Sequence, residues 1–163
     1  MKKVWWTVVW FWVLALVTGA VAIVLIILRK LGVLPTINLY AYLLGPLFCF
    51  LVAAAFLTTA RAAKSLAAWG DPRKRALLQL ANAASIGFAC WPIVAGLLFL
   101  VRLFIPVEVA WPRLLASMIA MIVFLVGWRR VQGSKLLGLI PFAAFLFQFL
   151  RDVVLLARSP GAH

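Results

Sequence analysis

Short groups of lysine and arginine divide this 163-residue chain into apolar runs, at 4–28, 37–60, 76–101, 112–131 and 136–157. A helix rises about 1.5 Å per residue and the hydrocarbon layer of a bilayer is about 30 Å thick, so about twenty apolar residues suffice to cross it. Hydrophobic residues make up 67% of the chain and charged ones 12%, an imbalance that a water-soluble domain of this size cannot bury in one core. The expected fold is therefore all-α: one polytopic, integral membrane bundle of four or five transmembrane helices.

Two runs admit a rival reading. The first begins after Lys2-Lys3 and contains Ala20-Val21-Ala22, the ingredients of a cleavable secretory signal, but Ile23 to Leu28 carry the apolar stretch beyond that point and favour an uncleaved span. The last contains Gln148, Arg151 and Asp152 in its second half, so a helix lying in the membrane plane competes with a fifth span. Pro46 and Pro92 stand inside the second and third runs, where each removes a backbone hydrogen bond and predicts a bend.

Cations set the expected orientation. Lys2, Lys3, Arg61, Lys64, Arg73, Lys74, Arg75, Arg129, Arg130 and Lys135 fall on one side of an alternating topology and outnumber Arg29, Lys30, Arg102, Arg113, Arg151 and Arg158 on the other. The positive-inside bias puts the N-terminus in the cytoplasm, and a bacterial cytoplasmic (inner) membrane is the expected location. A net charge of +13 also invites a nucleic-acid reading. The basic groups follow the connections instead of forming one face of a module, so anionic lipid headgroups are the expected partner and nucleic acid is not.

Reactive groups are scarce. The acids are Asp71, Glu108 and Asp152, the one histidine is His163, and Cys49 and Cys90 lie in apolar runs without metal-ligand spacing. Acid–base or metal chemistry needs such groups brought together, so no catalytic residue, metal site or cofactor is expected. The most specific polar feature is Gln79, Asn82 and Ser85, whose spacing predicts a stripe on the third helix that faces a partner, a substrate or the rest of the bundle. Arg61, Lys64, Arg73, Lys74 and Arg75 are candidates for contact with headgroups or an acidic partner, around a turn at Trp69-Gly70-Asp71-Pro72. Arg151 and Asp152 form a candidate ion pair at the outer interface, close enough to the end of the run to reach headgroups.

Packing is expected to be tightest between the second and third spans, where Ala53-Ala54-Ala55, Ala60, Ala62 and Ala63 can approach Ala81, Ala83, Ala84 and Gly87. Cys49 and Cys90 should lie near mid-membrane at similar depth, as buried small apolar residues. Trp5, Trp6, Trp10 and Trp12 crowd the start of the first span and predict an interfacial aromatic belt.

These features point to a non-catalytic subunit or accessory factor of a larger membrane complex. The alternative is a small oligomeric transporter or channel that passes a lipid or small solute along the Gln79, Asn82, Ser85 stripe. In either case a membrane-protein partner or a second copy is expected. The expressed chain should stay with the membrane fraction through an alkaline carbonate wash and be released by detergent; recovery as a compact soluble protein without detergent would overturn the membrane reading.

Overall fold

The computed structural model describes residues 2–32, 38–69, 72–102, 110–131 and 135–158. Their elements are α1 (Lys2–Lys30), α2 (Asn38–Trp69), α3 (Pro72–Val101), α4 (Ala110–Arg129), a single 3-10 turn (Lys135–Gly138) and α5 (Leu139–Ala157). Each of the five α-helices carries a stretch long and apolar enough to cross a membrane. Pro72, Pro112 and Pro141 sit in the first turns of α3, α4 and α5, where the missing N–H has no intrahelical acceptor to lose. Pro46 and Pro92 lie within α2 and α3, and the helices continue through both. The α2 helix also continues past its apolar stretch to Trp69, so Arg61 and Lys64 stand on helix. Asp71 and Glu108 lie outside the described residues, as does Gly70 of the expected turn before α3.

Neighbouring helices run antiparallel. Trp12 near the start of α1 meets Phe56 and Thr59 of α2, Gly45 of α2 lies against Phe99 of α3, Ala83 of α3 lies against Gly127 of α4, and Ser117 of α4 bonds Asp152 of α5. The α2–α3 interface is the most extensive, followed by α3–α4 and α1–α2. In the most apolar window of α1 only 6% of residues are buried, against 33% in α2, so α1 is peripheral and the remaining helices form the body of the bundle. Large apolar side chains such as Leu16, Ile23, Trp111 and Phe147 are exposed on the outside, a surface that suits hydrocarbon.

Inside, small residues set the helix spacing and aromatic rings fill what is left. Ala53, Ala55 and Ala60 of α2, Ala83 and Ala89 of α3, and Ala116 and Ala120 of α4 are buried. Through them runs a ladder of rings. Trp12 packs edge-on to Phe56 at 5.1 Å, Phe56 stacks on Phe88 at 5.8 Å, and Phe88 stacks on Phe145 at 4.5 Å. Phe145 in turn stacks on Phe124 at 5.0 Å, Phe124 on Trp128 at 5.7 Å, and Trp128 meets Phe142 at 5.8 Å. The ladder touches all five helices, and Phe145, fully buried, is its centre.

Two local expectations resolve differently from the sequence pattern. Trp5, Trp6 and Trp10 are exposed, but Trp12 turns onto α2, where its indole N–H donates to Thr59 Oγ1 at 3.1 Å. Thr59 meets its own donor need by bonding the Ala55 carbonyl at 2.7 Å. Cys49 and Cys90 are not level: Cys49 lies opposite Gly96, six positions beyond Cys90 on α3, an offset of about 9 Å along the helix. Counting from helix starts does not reveal this, because antiparallel helices start at opposite ends of the pair and the count leaves their relative height open.

Within the long helices, Gly87 of α3 and Gly127 of α4 permit close approaches in the core. A methyl group at Gly87 would lie 2.7 Å from the Phe145 ring and 3.1 Å from the Ala120 carbonyl oxygen; one at Gly127 would lie 2.6 Å from Ala83 Cβ. The obstacles include backbone and a short side chain that cannot swing away, so Gly87→Ala and Gly127→Ala should each destabilise the bundle by about 1–3 kcal/mol. Gly45→Ala meets only the exposed Phe99 ring, at 3.3 Å, and should cost less. Unfolding midpoints of the three variants in detergent test this order.

Candidate functional site

Gln79 and Asn82 are half-buried and open into a groove of about 930 Å³ between α2, α3 and α4, at the end of the bundle where α2 finishes and α3 begins. Helical spacing builds it. Arg61, Lys64 and Ala68 line one side of α2; Arg75, Gln79, Asn82 and Ile86 line one stripe of α3; Val123, Val126, Gly127 and Arg130 bring in α4. Arg130 follows the last residue of α4 in a turn closed by its N–H to the Gly127 carbonyl at 3.1 Å. Alanine and glycine on the facing surfaces leave the space between the backbones unfilled.

The groove therefore joins two features that stand apart in the sequence, the amides of α3 and the cations of the α2–α3 region. Not every expected residue takes part. Ser85 is buried but does not line the groove, because steps of three residues fall short of a full turn, and two such steps carry a side chain about 120° around the axis. Arg75 and Ile86, at better spacing, occupy the face instead. Lys74 is exposed away from the groove, and the side chain of Arg73 lies outside the described residues. Arg130, which the sequence pattern assigns to a different connection, joins Arg61, Lys64 and Arg75 in lining the groove.

At the other end of the bundle Asp152 is only 3% exposed. Its carboxylate accepts a hydrogen bond from the hydroxyl of Ser117, which itself accepts one from the Trp91 indole N–H at 3.1 Å. The Gln148 side-chain amide donates to both carboxylate oxygens at 3.4 Å, and Arg151 Nη2 lies 3.5 Å from Oδ1. Three side chains from two helices thus meet one carboxylate, and a third helix joins the network through Trp91 and Ser117. The expected Arg151–Asp152 pair exists, but its halves part company: Arg151 is 52% exposed at its side chain, while Asp152 faces the bundle interior. Adjacent residues on a helix point about 100° apart, so an ion pair of neighbours on a surface helix tends to straddle the boundary between inside and outside. Ser117 and Trp91 carried no functional sign in the sequence beyond being the polar atoms of otherwise apolar stretches.

The same end holds a second, smaller cavity of about 240 Å³, whose lining includes Trp91, Leu98, Arg102, Arg113, Gln148, Arg151 and Asp152. Among the described residues no three of histidine, cysteine, aspartate or glutamate come together in a way that would hold a metal ion. Compared with protein-family models, curated proteins and solved structures, the chain shows no match.

The Trp91, Ser117, Asp152 chain makes a quantitative demand. Ser117→Ala deprives a buried carboxylate of a donor and a half-buried indole of an acceptor, and should cost about 1–3 kcal/mol of stability. Asp152→Asn changes the same network, so the double variant should lose less than the two single losses together, with a coupling of about 0.5–3 kcal/mol. Strict additivity in denaturant titrations of the detergent-solubilised protein would show that the hydroxyl and carboxylate do not work as a unit.

Proposed function

We propose that this chain is an integral membrane protein that binds an anionic amphiphile, a lipid or lipid-like molecule with a phosphate-bearing headgroup, in the groove between α2, α3 and α4, and performs no chemistry on it. The observation that carries the proposal is the composition of that groove: Arg61, Lys64, Arg75 and Arg130 around Gln79 and Asn82, with Leu57, Ile86, Val123 and Val126 as apolar wall. Cations near an anionic membrane surface contribute about 1 kcal/mol each. The amides supply N–H donors for phosphate oxygens, and the aliphatic residues suit an acyl chain. Its volume, about 930 Å³, lies within the usual range of ligand pockets and exceeds what a bare phosphate ion needs. The lining residues are cations, amides and small or aliphatic side chains, which bind rather than react.

On this reading the groove opens toward the cytoplasmic leaflet, the side to which the cation bias assigns the α2–α3 connection. Such a site serves a transporter whose cargo is the amphiphile. It equally serves an accessory subunit for which a bound lipid seals the contact with a neighbouring membrane protein.

Native mass spectrometry of the full chain in micelles containing phosphatidylglycerol or phosphatidylcholine tests the binding. Wild type should retain the anionic lipid in preference, and Arg75→Gln/Arg130→Gln should reduce retention at this site at least tenfold, as should Asn82→Leu to a smaller degree. Equal retention of the zwitterionic lipid, or wild-type behaviour of the double variant, would dispose of the groove as a lipid site. Movement of labelled lipid across reconstituted vesicles then separates transporter from subunit.

A further inference from the structure

The cations of the larger groove stand at different depths. Phe56 stacks on Phe88, so Arg61, five residues later on α2, comes level with Ala83, five residues earlier on antiparallel α3, and Lys64 comes level with Leu80. Gly127 lies against Ala83, which brings Arg130 close to the level of Leu80 as well. Measured from Arg75 in the first turn of α3, Lys64 and Arg130 lie about 7 Å further in, and Arg61 about 12 Å further in. Arg61 and Lys64 thus stand within the apolar stretch Leu44–Ala68, with Arg61 about two turns from its end. A charge at that depth is tolerated where it faces protein, water or an opposite charge. The chain has three acids to offer. Asp152 is buried at the opposite end of the bundle, and Glu108 belongs in sequence to the connection between α3 and α4 at that same end. Asp71, directly before α3, is the one acid on the groove side of the topology; if it paired with one groove cation, three would remain.

We infer that the amphiphile held by this groove carries a phosphomonoester or diphosphate head, with more than one negative charge, and not the singly charged phosphodiester of a common glycerophospholipid; the inference rests on the groove reading proposed above. A phosphodiester meets one charge and leaves at least two cations facing apolar wall. A phosphomonoester brings about −1.5 to −2 at neutral pH, and a diphosphate brings more. Guanidinium forks bind phosphate oxygens in pairs, and Arg61, Arg75 and Arg130 come from α2, α3 and the turn after α4, so they can surround such a head instead of touching one side of it. Depth separates their roles. Arg75 stands at the mouth, where any anionic head arrives. Arg61 is the deepest of the four, about level with Asn82, and meets the charge that a phosphodiester lacks. Beyond Arg61 the lining turns apolar, and Leu57, Ile86 and Val123 mark where the chain of the amphiphile begins.

Native mass spectrometry of the full chain in micelles tests this, with phosphatidic acid, phosphatidylglycerol and phosphatidylcholine of identical acyl chains as probes, and farnesyl phosphate and farnesyl diphosphate as a second set. One further charge met by one cation corresponds to about fivefold in affinity. Wild type should therefore retain phosphatidic acid at least about fivefold better than phosphatidylglycerol. Arg61→Gln should bring that ratio to about one while phosphatidylglycerol stays preferred over phosphatidylcholine, and Arg61→Lys should keep most of the ratio. Arg61 is exposed, so both variants should fold, which unchanged circular dichroism would confirm. Farnesyl diphosphate retained better than farnesyl phosphate identifies a diphosphate head; equal retention or the reverse order identifies a phosphomonoester. A smaller ratio of phosphatidic acid to phosphatidylglycerol in wild type, or a wild-type ratio in Arg61→Gln, would overturn the inference, while preference for phosphatidylglycerol over phosphatidylcholine kept the groove reading intact. Indifference of wild type to all three diacyl lipids would instead sink the groove reading, and this inference with it.

Discussion

Stacking of Phe145 against Phe88 and Phe124 is the contact on which the arrangement of the bundle turns. In a hydrocarbon surrounding, helices gain nothing from hiding apolar surface, because the surroundings are as apolar as the partner. What remains is the difference between a shaped contact and a fluid one. Aromatic pairs contribute about 0.5–1.5 kcal/mol beyond the area they cover, and here they follow one another from Trp12 on α1 to Phe142 on α5. The centre of that ladder exists because Gly87 has no side chain to occupy the place of the Phe145 ring.

The ladder also separates two polar regions. On one side are the groove amides and their ring of cations; on the other is the Trp91, Ser117, Asp152 relay with its arginines. The relay lies deeper than the cations beside it. A buried carboxylate is tolerable only when its lone pairs are met, and Ser117, Gln148 and Arg151 meet them. By fixing α5 against α4, that network holds Arg151 at the mouth of the small cavity. At the groove end the cations Arg61, Lys64, Arg75 and Arg130 are all exposed.

Much of this was legible without coordinates, and the reasons are local. Apolar runs bounded by cations gave the five long helices and their approximate positions, since span length and composition are properties of a contiguous segment, although α2 runs on to Trp69, nine residues past its apolar stretch. The close pairing of α2 with α3 followed from their small residues, which let the two backbones approach. Gln79 and Asn82 were recognisable as amides on an apolar helix that require partners. The spacing argument that added Ser85 to them failed over two steps because an α-helix does not repeat at three residues.

The remainder depended on register between helices, which no single segment encodes. Whether Trp12 faces outward with Trp5, Trp6 and Trp10 or inward onto Phe56 is decided by the rotation of α1 against α2. Ser117 gained a role only because antiparallel packing brought it level with Asp152 and Trp91, and Arg130 joined Arg61, Lys64 and Arg75 only because α4 ends beside α2 and α3. Composition and periodicity determined that the chain makes long apolar helices and that its few polar groups must look inward or toward the ends. Tertiary packing decided which of those groups meet, because side-chain contacts between helices depend on relative height and rotation, and both are set by ring and glycine contacts far apart along the chain.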